Sequence, residues 1–404
     1  MRRMLPRRRP LLVTAVSVFL VAATVALQVP ASDASPNAVR DEHSTSPGWL
    51  NLIHMNQIQT INTHNSYKRE TSLVEQQAHD QIRNSPGNYA NNVGYSHASL
   101  AAQFEDQNVR GIEIDLYGDP EGGLYAEPLL RRKLGLGPLP DPAWRRPGIK
   151  VMHIPDVDYN TTCVLFTECL RQVKEWSDAN PTHVPIFIML ELKRSDSFWV
   201  QQGGVVAPAW DEAAMVGIDE EIRSVFDDDE MITPDDVRRP GLTLEQSVTR
   251  FGWPSLADSR GQVMFFFNNV GSSSPYSEDA PNLEGRAVFV NGAPGQPNAA
   301  YRGRDEVDVL LPEIQNLVAQ GYLIRTRSDI SLSTVRAGDI GRVQQSLDSG
   351  AQVISTDFPV VGMAARYGTD FVARIPGNLP ARCNPINAPR QCKDHLLEAE
   401  VGRR

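Results

Sequence analysis

Short apolar runs of four to nine residues, each closed by a polar cluster, recur along the chain: Gln59–His64, Gly111–Tyr117, Lys150–His153, Pro185–Lys193, Gln262–Asn268, Ala287–Asn291, Tyr322–Arg327 and Gln352–Asp357. Runs of that length, apolar through the middle, are the pattern of parallel strands buried on both faces. Helical periodicity lies between most of them, over Leu100–Asn108, Leu170–Asn180, Glu306–Gln320 and Ala337–Ser349. Gly321 and Gly350 follow two of these as expected C-terminal caps. Eight strands alternating with helices predict an α/β fold, a (β/α)8 barrel of the TIM type. A longer insertion between the fourth and fifth strands, roughly Ser195–Ser259, has its own helical pattern around Trp210–Phe226. No internal repeat or coiled-coil heptad is present.

The start of the chain reads differently. Arg2, Arg3, Arg7, Arg8 and Arg9 precede an uncharged apolar run, Leu11–Leu27, and small residues follow at Val29-Pro30-Ala31-Ser32. This is the layout of a secretory signal peptide. A retained anchor is the competing reading, with 17 apolar positions at the short edge of the spanning range. The expected division is a signal peptide over 1–31, a linker over 32–50, a barrel over 51–375 and a C-terminal tail over 376–404. Loss of 1–31 removes five arginines and no acid, which moves the formal net charge from −10 to −15. Such a charge excludes a general nucleic-acid binder, which needs a basic footprint, and excludes attachment to anionic lipid by bulk electrostatics. Four cysteines in an exported chain are expected to pair by proximity, Cys163 with Cys169 and Cys383 with Cys392. Neither spacing is the CxxC of a zinc site.

In this class of barrel, chemistry sits at the C-terminal strand ends. The first run ends in His64-Asn65, the second carries Glu113 and Asp115 on one face, and the third ends in His153. The fourth ends with Glu191 and Lys193, the seventh with Arg325 and Arg327, and the eighth with Asp357. Any one of these suits an internal ion pair that plugs the barrel mouth, because buried charges persist when paired. Together they suggest more. Asn65, Glu113, Asp115 and Glu191 form an oxygen-rich set suited to Ca2+, whereas zinc would take the histidines. His64 and His153, left free of metal, can act as base and acid on opposite sides of a phosphorus. Lys193 and Arg327 offer positive charge to phosphate oxygens, and Asp357 joins them as a substrate contact.

Other features carry less. Asp227-Asp228-Asp229-Glu230 lacks the Gly and Glu of a calcium loop and reads as a solvated acidic turn. His54, His79 and His97 are expected as surface or capping groups. His183 precedes the fourth strand, at the wrong barrel end for chemistry. Asn160-Thr161-Thr162 fits a glycosylation sequon and nothing more.

The motifs Asn62-Thr63-His64-Asn65-Ser66-Tyr67, Arg110-Gly111-Ile112-Glu113-Ile114-Asp115, Val151-Met152-His153 and Ile354-Ser355-Thr356-Asp357-Phe358-Pro359 resemble the secreted bacterial calcium-dependent phosphatidylinositol-specific phospholipases C. Trp253-Pro254-Ser255-Leu256 and Tyr322–Asp329 fit the same family, and the resemblance runs from about 55 to 375. It implies a phosphodiesterase barrel with one catalytic calcium, in which an inositol hydroxyl attacks the neighbouring phosphate and expels diacylglycerol, leaving a cyclic phosphate. His64 and His153 match the catalytic histidines; Asn65, Glu113, Asp115 and Glu191 match the calcium ligands. With the signal-peptide layout and the acidic charge, the expectation is a secreted monomer that meets its phospholipid at a membrane or micelle surface through transient contact. The rivals are a glycerophosphodiester phosphodiesterase or sphingomyelinase D type of enzyme, which typically opens with His-Arg-Gly, and a catalytically silent barrel that binds lipid or glycan.

Overall fold

The computed structural model describes residues 48–269 and 275–398. The expected signal peptide and the linker up to residue 47 lie outside the described residues. Ten strands form in chain order: β1 (Ile58–Thr63), β2 (Gly111–Tyr117), β3 (Lys150–Val151), β4 (Ile186–Leu192), β5 (Val263–Phe267), β6 (Val288–Phe289), β7 (Tyr301–Gly303), β8 (Leu323–Arg327), β9 (Val353–Thr356) and β10 (Ala381–Cys383). Eight of them run side by side in the order β6-β5-β4-β2-β1-β9-β8-β7. A parallel bridge between Asn291 and Tyr301 joins the two edges and closes the barrel.

The staves are buried on both faces, as their apolar runs require. In β5 all of Val263, Met264, Phe265, Phe266 and Phe267 are inaccessible to solvent, and each phenylalanine contributes about 1.5–3 kcal/mol by that burial. Gly111 is dictated by close approach: a Cβ there would lie 1.8 Å from the amide nitrogen of Asn62, its register partner on β1. The helix Phe166–Ala179 buries Phe166, Cys169, Leu170, Val173 and Trp176, one helical stripe, against this sheet. Gly321 and Gly350 have φ of 100° and 75° past their helices, as expected of caps. The helix expected over Ala337–Ser349 forms as Ile340–Asp348; a separate helix, Ser331–Ala337, ends just before it, where Gly338 turns left-handed at φ 64°.

Two strand expectations need correction. The run Lys150–His153 is not a stave: β3 has two residues and pairs antiparallel with the end of β2, Leu116 opposite Val151 and Tyr117 opposite Lys150. A parallel return needs a crossover long enough to reach the barrel bottom. Between β2 and β3 the longest helix is the six-residue Leu129–Leu134, so the chain stays at the mouth. The missing stave is β7, three residues long and too short to show a period. The insertion falls between β4 and β5, and its helix spans Glu212–Arg223. The C-terminal segment is built into the opposite end of the barrel rather than trailing from it. There β10 pairs antiparallel with β1, Arg110 Nε donates to Glu398 at 2.9 Å in a buried pair, and the Cys383–Cys392 disulfide ties the strand to the loop after it.

Candidate active site

The chain leaves β1 through a tight turn in which Asn65 is left-handed, with φ 48°; asparagine tolerates this conformation better than most residues. Ser66 stitches the turn to β2, its N–H donating to the Glu113 carbonyl at 3.0 Å and its Oγ accepting from the Glu113 N–H at 2.8 Å. His64 is thereby fixed at the mouth. Its Nδ1 donates to Asp357 Oδ1 at 2.7 Å, which leaves Nε2 as the bare nitrogen, 3.3 Å from Arg327 Nη1 and 3.5 Å from Glu113 Oε1. Burial, together with the Arg327 charge, lowers the His64 pKa to about 4 despite Asp357, so the ring is neutral at pH 7. Burial alone would raise the Asp357 carboxyl, but His64 and Arg327 outweigh it and hold it well below the usual range.

His153 lies two residues past β3 on a small hairpin closed by hydrogen bonds between Ile154 and Asp158, at 2.9 and 3.1 Å. Its Nδ1 donates to Asp158 Oδ2 at 2.8 Å. Asp158 also faces Lys68 Nζ at 3.2 Å and accepts from the Tyr89 hydroxyl at 2.5 Å. Burial works against its ionisation, yet Lys68 and His153 keep its carboxyl below the usual range. Both rings keep a small exposed edge, 18% for His64 and 16% for His153, through which a ligand can reach them.

The third part is a carboxylate cluster. Glu113 and Asp115 lie two apart on one face of β2, and Glu191 on β4 is the register partner of Asp115. One oxygen from each of the three lies within 4.8 Å of the others. Glu113 Oε1 and both Asp115 oxygens are buried without a well-formed hydrogen bond, although Asp115 Oδ2 faces the Lys193 ammonium at 3.1 Å; a buried polar oxygen left without a partner costs about 1–3 kcal/mol. Burial, joined by the neighbouring acids, raises the Glu113 pKa well above normal and that of Asp115 to about 6. Glu191 moves to about 2, because Lys193 and His64 outweigh its burial. Three clustered carboxylates, two of them with buried oxygens that lack hydrogen-bond partners, fit a hard, oxygen-seeking cation.

Asn65 stands beside this cluster: its Nδ2 donates to the Tyr95 hydroxyl at 2.9 Å, and its Oδ1 lies 3.4 Å from the Tyr67 hydroxyl. Lys193 is placed between two of the acids, 3.1 Å from Asp115 and 3.3 Å from Glu191, not in open space facing a phosphate. Arg327 Nη2 lies 3.3 Å from Asp357 and 3.4 Å from Asp329. Asp357, expected as a substrate contact, is hydrogen-bonded to His64 through Oδ1. Three groups escaped the sequence reading: Asp158, Lys68 and Tyr95; Arg325, expected with Arg327 at the end of its strand, donates from Nη2 to Glu113 Oε2 at 3.1 Å. Arg325 had a signal, two residues before Arg327 on one strand face. Asp158 and Lys68 had none, since their pairing joins two loops. His79 and His97, expected at the surface, are 5% and 2% exposed; His97 Nε2 lies 2.9 Å from the His64 carbonyl. The expected disulfide pairs are both formed, Cys163–Cys169 and Cys383–Cys392, consistent with folding in an oxidising environment.

A closed parallel barrel with two carboxylate-backed histidines beside a buried acidic cluster at its mouth has the groups needed to hold a cation and to move protons. The sequence model of the family described as "Phosphoinositide phospholipase C, Ca2+-dependent" matches residues 53–385, and the chain belongs to that family. The calcium-dependent phosphoinositol-specific phospholipase C of a Gram-negative Pseudomonas species, in its apo form, superposes with a TM-score of 0.50 at 18% identity, over 82% of this chain and 95% of that one. That likeness shows the fold. A Ca2+-dependent phosphatidylinositol-specific phospholipase C from Streptomyces antibioticus aligns at 17% identity and a TM-score of 0.47, covering 76% of this chain and 95% of its own. No curated protein matches the sequence.

Proposed function

We propose that the chain is a secreted, calcium-dependent phosphodiesterase that cleaves phosphatidylinositol to diacylglycerol and a cyclic inositol phosphate. One observation carries the reading: two histidines, each with Nδ1 tied to a buried carboxylate, flank a cluster of three acids in which Glu113 and Asp115 keep buried oxygens without hydrogen-bond partners. Glu113, Asp115 and Glu191 would hold the ion, with Asn65 beside them. When bound, calcium lowers the pKa of a coordinated hydroxyl and offsets phosphate charge. The neutral Nε2 of His64 takes the proton of the inositol hydroxyl next to the phosphate as that oxygen bonds to phosphorus. His153 gives its Nε2 proton to the glycerol oxygen as the other P–O bond breaks, so diacylglycerol leaves neutral. Arg327 holds His64 in place and lends positive charge to the reacting phosphate; Lys193, freed from the acids, supplies a second charge.

The mouth also suits a lipid surface. Leu73 and Val74 after β1, Leu124 and Leu136 after β2, Val206 after β4 and Val361 after β9 are exposed on segments that leave the C-terminal strand ends. Among the described residues no helix is long and apolar enough to cross a membrane. On this reading a monomer meets the lipid through this rim, in superficial and transient contact.

A head-group panel tests the reading. Phosphatidylinositol should release diacylglycerol with an early phosphorus NMR signal of a cyclic diester, while phosphatidylcholine and sphingomyelin give no such turnover. Comparable cleavage of the choline lipids, or glycerophosphoinositol as the preferred substrate, would move the assignment to the glycerophosphodiesterase or sphingomyelinase D type.

A further inference from the structure

Lys68 directly follows the motif that begins at Asn62, and no catalytic step proposed for this centre uses it. Its side chain is fully buried, where an ammonium persists only if it is paired. Nζ faces Asp158 Oδ2 at 3.2 Å and donates to the carbonyls of Val93 at 2.7 Å and Tyr95 at 3.0 Å, which accounts for all three of its protons. It also lies over the Tyr95 ring, 4.6 Å from the centroid, and 5.8 Å from that of Tyr89. The Tyr89 hydroxyl donates to Asp158 Oδ1. Both oxygens of Asp158 are therefore engaged: Oδ1 accepts from Tyr89, and Oδ2 is shared by Lys68 and His153. The same lysine is tied to the His153 loop through its backbone, by an antiparallel bridge from Lys68 to Thr161.

We infer that Lys68 and Asp158 are positioning residues for His153. Lys68 fixes a charged Asp158, and Asp158 holds the Nδ1–H of His153 so that Nε2 is aimed at the departing oxygen. This rests on the reading of His153 as the acid. In that step the Nε2 proton moves to the glycerol oxygen as its bond to phosphorus breaks, while the ring hydroxyl loses its proton to His64 as the new P–O bond forms. A poorly aimed acid slows departure of an alkoxide, which needs the proton, and scarcely affects a nitrophenolate, which does not.

The test compares His153→Ala, Asp158→Asn, Lys68→Met and the Asp158→Asn/Lys68→Met double variant on two monomeric substrates, short-chain phosphatidylinositol and a nitrophenyl ester of phosphoinositol. Asp158→Asn should lower kcat on the lipid about 10–100-fold, with KM changed less than about threefold, and lower kcat on the nitrophenyl ester less than about threefold. Lys68→Met should show the same leaving-group dependence more weakly. The double variant removes both buried charges at once, and it stands in if either single variant fails to fold by thermal melting. A folded Asp158→Asn or double variant with full kcat on the lipid overturns the inference. So does equal loss on both substrates while His153→Ala still discriminates between them. If His153→Ala itself fails to discriminate, the acid reading falls, and the inference falls with it.

Discussion

His64 and His153 have the same immediate chemistry and opposite architectural support. His64 ends a stave flanked by β2 and β9, and its carboxylate comes from the end of the neighbouring stave, one residue past Thr356, the register partner of Thr63. His153 follows a two-residue strand with a single partner strand, and its carboxylate lies five residues further along its own hairpin. The first arrangement is a property of the whole barrel, fixed by register. The second is local and needs buttressing. The β1 turn provides it through Lys68, and through backbone hydrogen bonds from Arg69 to Asn160 at 3.0 Å and from Thr162 to Tyr67 at 2.8 Å. The Cys163–Cys169 disulfide closes the same loop. A barrel can thus take one half of a two-histidine centre from its staves and the other from a flap pinned to it.

The largest effect should come from deleting either histidine. His64→Ala and His153→Ala are each expected to lower the rate on phosphatidylinositol by about 10²–10⁴, measured as diacylglycerol release. Near-normal activity in one of them would break the comparison, leaving a one-histidine centre supported by that half's counterpart.

A smaller effect separates the two supports by pH. The stave-borne half holds two buried, neutral histidines, His64 and His97, whose pKa values burial lowers to about 4. Below pH 6.5 the unfolded chain binds protons at these positions and the native chain does not, so stability is complete above that pH and declines as pH falls toward 4. For His97 the full decline corresponds to about 3 kcal/mol. Denaturant melts of the calcium-free protein should show this slope between pH 6.5 and 4, reduced in His97→Gln. An unchanged slope in that variant would mean that His97 is protonated in the native state.

Much of this centre is legible in the sequence because it lies on staves. Parallel strands buried on both faces appear as apolar runs, and their polar ends place His64, Glu113, Asp115, Glu191, Arg327 and Asp357 at one mouth without further information. His153 is legible although its strand is not a stave, because β3 pairs with the mouth end of β2 and so delivers it to the same place. The illegible part depends on contacts between loops. Lys68 reaches Asp158 across ninety positions of sequence, and no period encodes such a pairing. The burial of His79 and His97 is likewise hidden, since a histidine with its ring nitrogen satisfied is stable inside, and the partner is known only once the fold is formed. Asp357 is placed at the mouth by its strand end, but its hydrogen bond to His64 is not legible, because a carboxylate there looks the same whether it faces a substrate or a histidine.

The central claim is that the clustered carboxylates of β2 and β4 serve a calcium ion on which turnover depends. The most direct measurement is diacylglycerol release from phosphatidylinositol in excess chelator, followed by titration with calcium. Turnover should vanish in the chelator and return in full as free calcium rises. Undiminished release in the chelator would contradict the account, and would leave Glu113, Asp115 and Glu191 as an ion-pair network closed by Lys193 and Arg325.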